Sequence, residues 1–182
     1  MKAYLIAGAM ALGGSLAMAA EFPEFPTMPE QQKRFIAAIE AARDTYSKGA
    51  NDMAKGAARP ARAKEICSIL KGSQPKAWVG VIYDLSTNGD GKGVMEVTIG
   101  PNVYVKTWNN SLSDISDKTL IDPSSPLFQS AVVLKEGQKV ILSGTFFKSP
   151  TDCVKEGSLT LRGTITEPEF IIRFSSIKPL DN

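Results

Sequence analysis

A chain of 182 residues with a net charge of only +2 has room for one barrel-sized domain and an extension. It has no histidine, which excludes Ser-His-Asp triads, Cys-His pairs and most zinc sites. No glycine-rich phosphate loop precedes a predicted helix, and no pair of carboxylates marks a cleft. The sequence therefore predicts a protein that is not an enzyme and that holds no metal or cofactor.

Residues 1–20 have the pattern of a secretion signal peptide. Lys2 supplies the positive end, residues 4–16 form a short apolar run, and small side chains favour cleavage after Ala19 or Ala20. The run is too short to span a bilayer comfortably, and no second run follows it. No cysteine stands immediately after the cleavage site, so we expect a periplasmic or secreted protein without a lipid anchor or a membrane span.

The chain contains two cysteines, Cys67 and Cys153. In an oxidising compartment two cysteines usually pair, and Cys153 lies in a polar loop where a buried free thiol is not expected. A disulfide between them would connect the helical segment to a late loop and stabilise the fold by about 4 kcal/mol in the chain-entropy model. Two buried free thiols are the alternative interpretation.

A helical arm is predicted before the strands begin. Prolines make residues 21–29 an extended lead, and residues 30–71 are predicted to form the arm. Thr27 and Glu30 have the spacing of a capping box at the start of the first helix. Apolar residues recur along this helix with helical spacing: Phe35, Ile36, Ile39, Ala42 and Tyr46.

The arm is predicted to contain more than one helix. Gly49 weakens the first helix, and residues 51–58 can continue or restart it. Arg59-Pro60 is predicted to break the arm, because proline removes a donor and disfavours a helical conformation at the residue before it. A further helix is then predicted at residues 61–70.

The arm is also more basic than the rest of the chain. Residues 30–76 contain ten Lys and Arg against five Asp and Glu, a net +5, whereas residues 77–182 contain ten against twelve, a net −2. The pattern of the arm is typical of a solvated helix face, and the alternative is a patch that binds anions. Four of its basic residues are close together in sequence: Lys55, Arg59, Arg62 and Lys64.

Runs of β-branched and aromatic residues, bounded by Gly, Asn, Asp or Pro, predict a barrel domain over residues 76–182. A short helix at residues 127–134 precedes the fourth strand. Glu167-Pro168 interrupts the fifth strand, which resumes at residues 170–174. The five predicted strands cover residues 78–83, 94–99, 103–108, 140–147 and 158–166.

The connection between the first two strands, residues 84–93, has two interpretations. An Asn-Gly and an Asp-Gly dipeptide favour a tight hairpin because these residues accept positive φ. Alternate oxygen-bearing side chains from Asp84 onward also have the spacing of early calcium ligands. Met95 stands where the closing glutamate of a calcium loop would be, so we prefer the hairpin.

The third predicted strand has the pattern that most favours binding. Tyr104, Lys106 and Trp108 alternate onto one face, where two aromatic rings beside a cation suit stacking against bases or sugars. Alternatively, the helical arm covers this face and the rings are packing residues. A long polar loop, residues 109–126, adds further candidates for a binding site: Asn109, Asn110, Ser113 and Asp114.

Three strands, a helix and two more strands are the element order of an OB-fold. This five-stranded Greek-key barrel often binds oligonucleotides or oligosaccharides with its second and third strands. The predicted fold class is therefore mainly β (α+β), a five-stranded OB-fold barrel with an N-terminal helical extension.

Short motifs in and between the strands also carry a family resemblance. They are Trp78-Val79-Gly80, Gly91-Lys92-Gly93, Lys106-Thr107-Trp108-Asn109-Asn110, Ser113-Asp114, Thr119-Leu120-Ile121, Leu134-Lys135-Glu136-Gly137-Gln138 and Ser143-Gly144-Thr145-Phe146. With these motifs, residues 63–174 resemble a bacterial family of small exported OB-fold proteins described as nucleic-acid-binding proteins or lipoproteins. The resemblance implies an exported barrel that binds a ligand.

Two binding functions follow. In the first, the face of Tyr104, together with Lys55, Arg59 and Arg62 of the arm, binds single-stranded nucleic acid. In the second, the same face or the loop of residues 109–126 binds a protein or glycan of the cell envelope. The family resemblance favours the first function, whereas the predicted export and the net negative barrel argue against routine contact with phosphates.

Overall fold

The computed structural model describes residues 22–180. Residues 1–21 and 181–182 lie outside the description, and with them the predicted signal peptide. The helices and strands follow in this order: α1 Glu30–Lys48, α2 Asp52–Gly56, α3 Ala58–Leu70, β1 Trp78–Thr87, β2 Gly93–Gly100, β3 Val103–Lys106, α4 Pro126–Ala131, β4 Lys139–Phe146, β5 Lys148–Ser149, β6 Cys153–Val154, α5 Leu161–Thr166 and β7 Glu169–Pro179. None of the helices described here has the length and apolar character needed to cross a membrane.

Five strands close into a barrel in the order β1-β2-β3-β7-β4. Neighbouring strands are antiparallel except β3 and β7, which run parallel. A closed mixed barrel preceded by helices confirms the predicted α+β, OB-like fold class. The small ribbon formed by β5 and β6 was not predicted, because each of its strands has only two residues.

The predicted fifth strand at residues 158–166 is wrong. The last six residues of this segment are helix α5, which begins where the Thr160 hydroxyl accepts a hydrogen bond from the Gly163 N–H at 3.0 Å. Leu161 and Ile165 are four residues apart, a helical spacing that the β-branched composition of the segment concealed. The fifth barrel strand is β7, which contains the predicted resumption at residues 170–174 and pairs with β3 and β4.

Two predicted features of the arm are also corrected. Thr27 is not the N-cap of α1, because Pro29 occupies that position and no side chain caps the helix. Pro60 does not break the arm, because α3 begins at Ala58. Pro60 thus lies in the first turn, where the missing N–H has no helical partner to lose.

The arm joins the barrel through a cluster of aromatic rings. The Phe35 ring of α1 lies 5.2 Å from Trp78 of β1 and 4.9 Å from Phe170 of β7, measured between ring centres. It stacks on Phe146 of β4 at 5.8 Å. All four side chains are buried, and each contributes about 1.5–3 kcal/mol by leaving water. The arm and the barrel therefore share one hydrophobic core.

One buried polar side chain crosses the same interface. The Gln32 side-chain amide donates to the carbonyl oxygens of Val79 at 2.6 Å and Ile99 at 3.0 Å. Its carbonyl oxygen accepts from the Val79 N–H at 2.8 Å. The ladder between β1 and β2 begins only at Val81, so Gln32 satisfies backbone groups that these strands leave unpaired.

Candidate functional site

The outer surface of β1, β2 and β3 carries a pair of tyrosines. The rings of Tyr83 and Tyr104 are 5.1 Å apart and meet edge to face at 64°. Tyr83 is 58% exposed and Tyr104 is partly exposed, so the pair reaches solvent. Neighbouring strand positions add Lys106, Glu96 and Glu169, and these five residues are called the tyrosine face below.

Lys106 lies between two carboxylates. Its Nζ is 3.1 Å from the nearer oxygen of Glu96 and 3.0 Å from that of Glu169. Burial alone would lower the pKa of Lys106, but hydrogen bonds and charge from the two carboxylates outweigh it and raise that pKa. For Glu96 each effect has the opposite direction: burial raises the pKa of this carboxyl group, and the nearby Lys106 acts to lower it. The charge of Lys106 is therefore balanced by the two carboxylates of the same face.

The surroundings of the tyrosine face are net negative. One lysine stands against two carboxylates, and Glu167 and Asp84 are near enough to act on the pKa values of Tyr104 and Glu96, respectively. Arg43 of α1 is near Tyr104 and Glu167 and offsets part of this negative charge. Burial first of all, and then the neighbouring phenol and carboxylates, raise the pKa of Tyr104. This surface suits a positively charged or neutral group better than a phosphate.

Trp108 lies beyond the end of β3, which stops at Lys106, so the predicted strand was too long. The Trp108 backbone N–H donates to the Thr119 hydroxyl at 2.8 Å, and its indole N–H donates to Asp117 at 2.8 Å. Lys155 pairs with the same Asp117 carboxylate at 2.8 Å. These bonds tie the tryptophan to the loop after β3, and its role as a stacking platform stays a prediction.

The other candidates in that loop divide into two groups. Asp114 is buried, and its carboxylate accepts hydrogen bonds from the Thr119 hydroxyl at 2.7 Å and the Leu120 N–H at 3.0 Å. These bonds hold the loop in shape and leave little of the carboxylate for a ligand. The remaining candidates are exposed, and their part in binding stays a prediction: Asn109, Asn110 and Ser113.

Much of the predicted basic patch of the arm is an internal ion cluster. Arg59 pairs with both carboxylate oxygens of Asp152, at 2.7 and 2.8 Å. Arg62 is buried, and its guanidinium lies 3.2 Å from Asp152. It also donates to the Glu156 carboxylate and to the Thr164 carbonyl oxygen. Both interpretations of the patch, a solvated face and an open anion site, are wrong for Arg62. The two arginines and two carboxylates are called the arginine cluster below.

The three predicted binding cations of the arm do not extend the tyrosine face. The Lys55 ammonium lies 5.9 Å from the centre of the Tyr46 ring, apart from the arginine cluster. Arg59 and Arg62 are directed to carboxylates that follow β4. No ion pair or ring contact joins any of these three cations to the tyrosine face within the described part of the chain.

One acid of the arginine cluster has an unusual proton affinity. Burial raises the pKa of Glu156 to about 7, although the neighbouring Arg62 charge acts in the opposite direction. The second carboxylate oxygen of Glu156 and the Nε of Arg62 are buried without a hydrogen-bond partner in the described residues. The cluster is therefore incompletely satisfied, and its charge state changes near neutral pH.

The predicted pairing of the cysteines is confirmed. Cys67 of α3 and Cys153 of β6 are joined by a disulfide, with Cα atoms 5.6 Å apart. The arginine cluster lies at the same junction, since Arg59 and Arg62 belong to α3 and Asp152 immediately precedes β6. Ion pairs and a covalent bond together attach the arm to the segment after β4.

The connection between β1 and β2 is a hairpin, as preferred. Thr87 pairs with Gly93, and the Asn88 N–H donates to the Lys92 carbonyl oxygen at 2.9 Å. Across residues 22–180, no group of three or more His, Cys, Asp or Glu side chains is arranged to hold a metal ion.

Sequence analysis missed Tyr83 as a site residue. The predicted first strand ended at this position, so nothing indicated which neighbour it would meet. In the structure β1 continues to Thr87, and a register shift between Ile82 and Asp84 accompanies the outward turn at Tyr83. Tyr104 lies on β3, and β1 is two strands away in the sheet. A search of the first predicted strand for aromatic residues could therefore have found Tyr83.

Comparison of the chain with protein-family models, with curated proteins and with solved structures found no match. The resemblance to exported OB-fold proteins therefore stays a prediction.

Proposed function

We propose that the protein is a non-enzymatic binding protein of the cell envelope, and that its tyrosine face binds a positively charged segment of a partner protein. The observation that carries the proposal is the position of Lys106 between Glu96 and Glu169. With the lysine charge taken up, the face offers two phenol rings and an excess of carboxylate oxygens. Rings of this kind attract Lys and Arg through cation–π contacts, and carboxylates attract them through charge-assisted hydrogen bonds.

The proposed location rests on the secretion pattern of residues 1–20 and on the disulfide between Cys67 and Cys153. Disulfides of this kind persist in oxidising compartments and are rare in the cytosol. A partner in the same compartment is therefore expected.

The charge distribution favours a cationic protein segment over single-stranded nucleic acid. Phosphate binding requires cations whose charge is free to replace counterions. Lys106 has two carboxylate partners, and both Arg59 and Arg62 are held in the arginine cluster. A glycan would use the rings without depending on carboxylate charge. Nucleic acid and glycan are the competing outcomes of the test.

The test is calorimetric titration of residues 21–182 with three probes: an arginine-rich peptide, a single-stranded oligonucleotide and an oligosaccharide. We expect the peptide to bind most tightly of the three probes. Its affinity should fall as the salt concentration rises, because the contact is partly ionic. Tyr83→Ala and Glu169→Gln should each weaken peptide binding by about tenfold. Glu65→Gln is the matched control, because this exposed acid of α3 does not belong to the tyrosine face.

Tighter binding of the oligonucleotide than of the peptide would overturn the proposal. Oligosaccharide binding that is lost in Tyr83→Ala but unchanged in Glu169→Gln would assign the face to a glycan instead. Absence of binding by every probe, or chemical conversion of any of them, would also refute the proposed function.

A further inference from the structure

An apolar groove of about 360 Å³ lies between the β1–β2 hairpin and α4. Its walls include Leu85, Val94 and Phe128, and no charged residue lines it. Val132 also lines the groove and is 61% exposed. A shaped apolar depression with exposed valine at its side is typical of a binding surface.

The strand beside this groove has an open edge. β1 pairs with β4 only over residues 78–81, whereas it pairs with β2 as far as Thr87. The last backbone hydrogen bonds on the β4 side of β1 join Ile82 to Gly137 and Gln138. Beyond Ile82, no strand of the described chain pairs with that side of β1.

The register of the hairpin identifies the backbone groups on the open edge. The hydrogen bond from the Asn88 N–H to the Lys92 carbonyl marks a hydrogen-bonded pair of the antiparallel ladder. Such pairs alternate along the ladder, so Ser86 directs its backbone groups toward β2. Leu85 and Thr87 therefore direct theirs toward the open side, and both residues also line the groove.

We propose that the open edge of β1 and the adjoining groove form one site for an extended, uncharged segment of a partner protein. The segment adds to the barrel as a strand, held by the backbone groups of Leu85 and Thr87. Alternate side chains of a strand point to the same face, so every second apolar residue of the segment enters the groove. The uncharged lining matches a neutral segment. The site is separate from the tyrosine face and does not depend on the function proposed for it.

A second copy of the chain is a poorer occupant than a partner segment. The open edge covers residues 84–87, or about 13 Å of strand. Two copies that pair along so short an edge would bury much less than the roughly 1,200 Å² of a stable interface. In a symmetric pair, Leu85 would have to fill the partner's groove while it already lines its own. An extended segment needs no such area, because a peptide added to a strand edge is held mainly by main-chain hydrogen bonds, and it brings no groove of its own.

The test uses residues 21–182 and a pool of blocked eight-residue peptides that alternate Val, Ile, Leu or Phe with Ser, Thr or Gln. We expect members of the pool to bind with little dependence on salt and to slow amide hydrogen exchange at Leu85 and Thr87. Every second amide of a bound peptide points toward β1. N-methylation of that set of amides should abolish binding, whereas N-methylation of the other set should not. Val132→Lys should weaken binding at least about tenfold. Val133→Lys is the matched control, because Val133 is 70% exposed and does not line the groove.

The proposal is overturned if no peptide of the pool binds at millimolar concentration, or if both lysine variants bind equally. It is also overturned if binding survives N-methylation of each of the two sets of amides, or if the protected amides lie elsewhere. Self-association of the free protein that Val132→Lys abolishes would assign the site to a second copy and refute the partner segment. Tyr83→Ala should leave binding of these uncharged peptides unchanged while it weakens binding of the arginine-rich peptide, so failure at the tyrosine face is observed separately.

Discussion

The tyrosine face and the arginine cluster share one arrangement of charge, a cation between two carboxylates. On the tyrosine face the cation is Lys106, and all three side chains keep part of their surface in solvent. In the arginine cluster Arg62 is fully buried, and the side chains of Asp152 and Glu156 are 5% and 3% exposed. The same arrangement is therefore a surface in one place and an internal junction in the other.

The difference follows from the cost of removing charge from water. A buried ion whose partner is removed has no solvent to replace that partner, and the loss amounts to about 3–5 kcal/mol. An exposed ion regains water, so breaking its pair costs about 0–1 kcal/mol. Burial thus determines whether a charged group holds the fold together or remains available to a ligand.

The largest effect is expected for Arg62→Met, which leaves Asp152 and Glu156 facing each other in a buried site. We expect the free energy of unfolding to fall by about 3–5 kcal/mol, as measured by urea denaturation at neutral pH. Arg34→Met is the control, because this side chain is exposed and its carboxylate contact is long. A loss below about 1 kcal/mol would remove the distinction between the two regions.

The pH dependence of stability should reveal Glu156. Its pKa is about 7 in the folded protein, above its ordinary value of 4.5, so the folded state binds the proton more tightly than the unfolded state. The resulting stabilisation is complete below pH 4.5 and is lost as the pH rises to about 7, a change of about 3 kcal/mol.

Urea denaturation across this pH range is the measurement. Glu156→Gln should flatten the curve, because glutamine cannot titrate, whereas Glu65→Gln should leave it unchanged. The same slope in wild type and Glu156→Gln would show that another group is responsible.

The smallest effect is expected for Lys106→Met on the tyrosine face. The side chains of Lys106, Glu96 and Glu169 are partly buried, so the free energy of unfolding should fall by about 1–2 kcal/mol, between the loss for an exposed pair and that for a buried one. The variant should bind the arginine-rich peptide at least as tightly as the wild type, because the face becomes more negative. A loss as large as that of Arg62→Met would show that Lys106 is a structural residue.

Features that depend on residues close together in the sequence were predictable. β1, β2 and β4 were located because alternating apolar residues and turn dipeptides occur within each segment. The segment at residues 158–166 failed because a Thr-capped helix with apolar residues four apart also contains β-branched residues. Such short segments satisfy both patterns, and their packing decides between them.

The candidate site was only partly predictable. Tyr104 and Lys106 were recognised from alternation along one strand, but Glu96 and Glu169 come from different strands. Pairing across strands depends on register, and no local pattern contains it. The same reason explains Arg62, whose partners follow β4 and are about ninety positions away in the chain.

By itself, the sequence determined the β-rich barrel and the helical arm and favoured a disulfide between Cys67 and Cys153, because composition, short-range periodicity and cysteine count carry that information. Only the tertiary structure decided which cations are free, which strand edge is open and where the apolar groove lies. These properties depend on burial and on contacts between distant segments, and the order of residues along the chain does not express them.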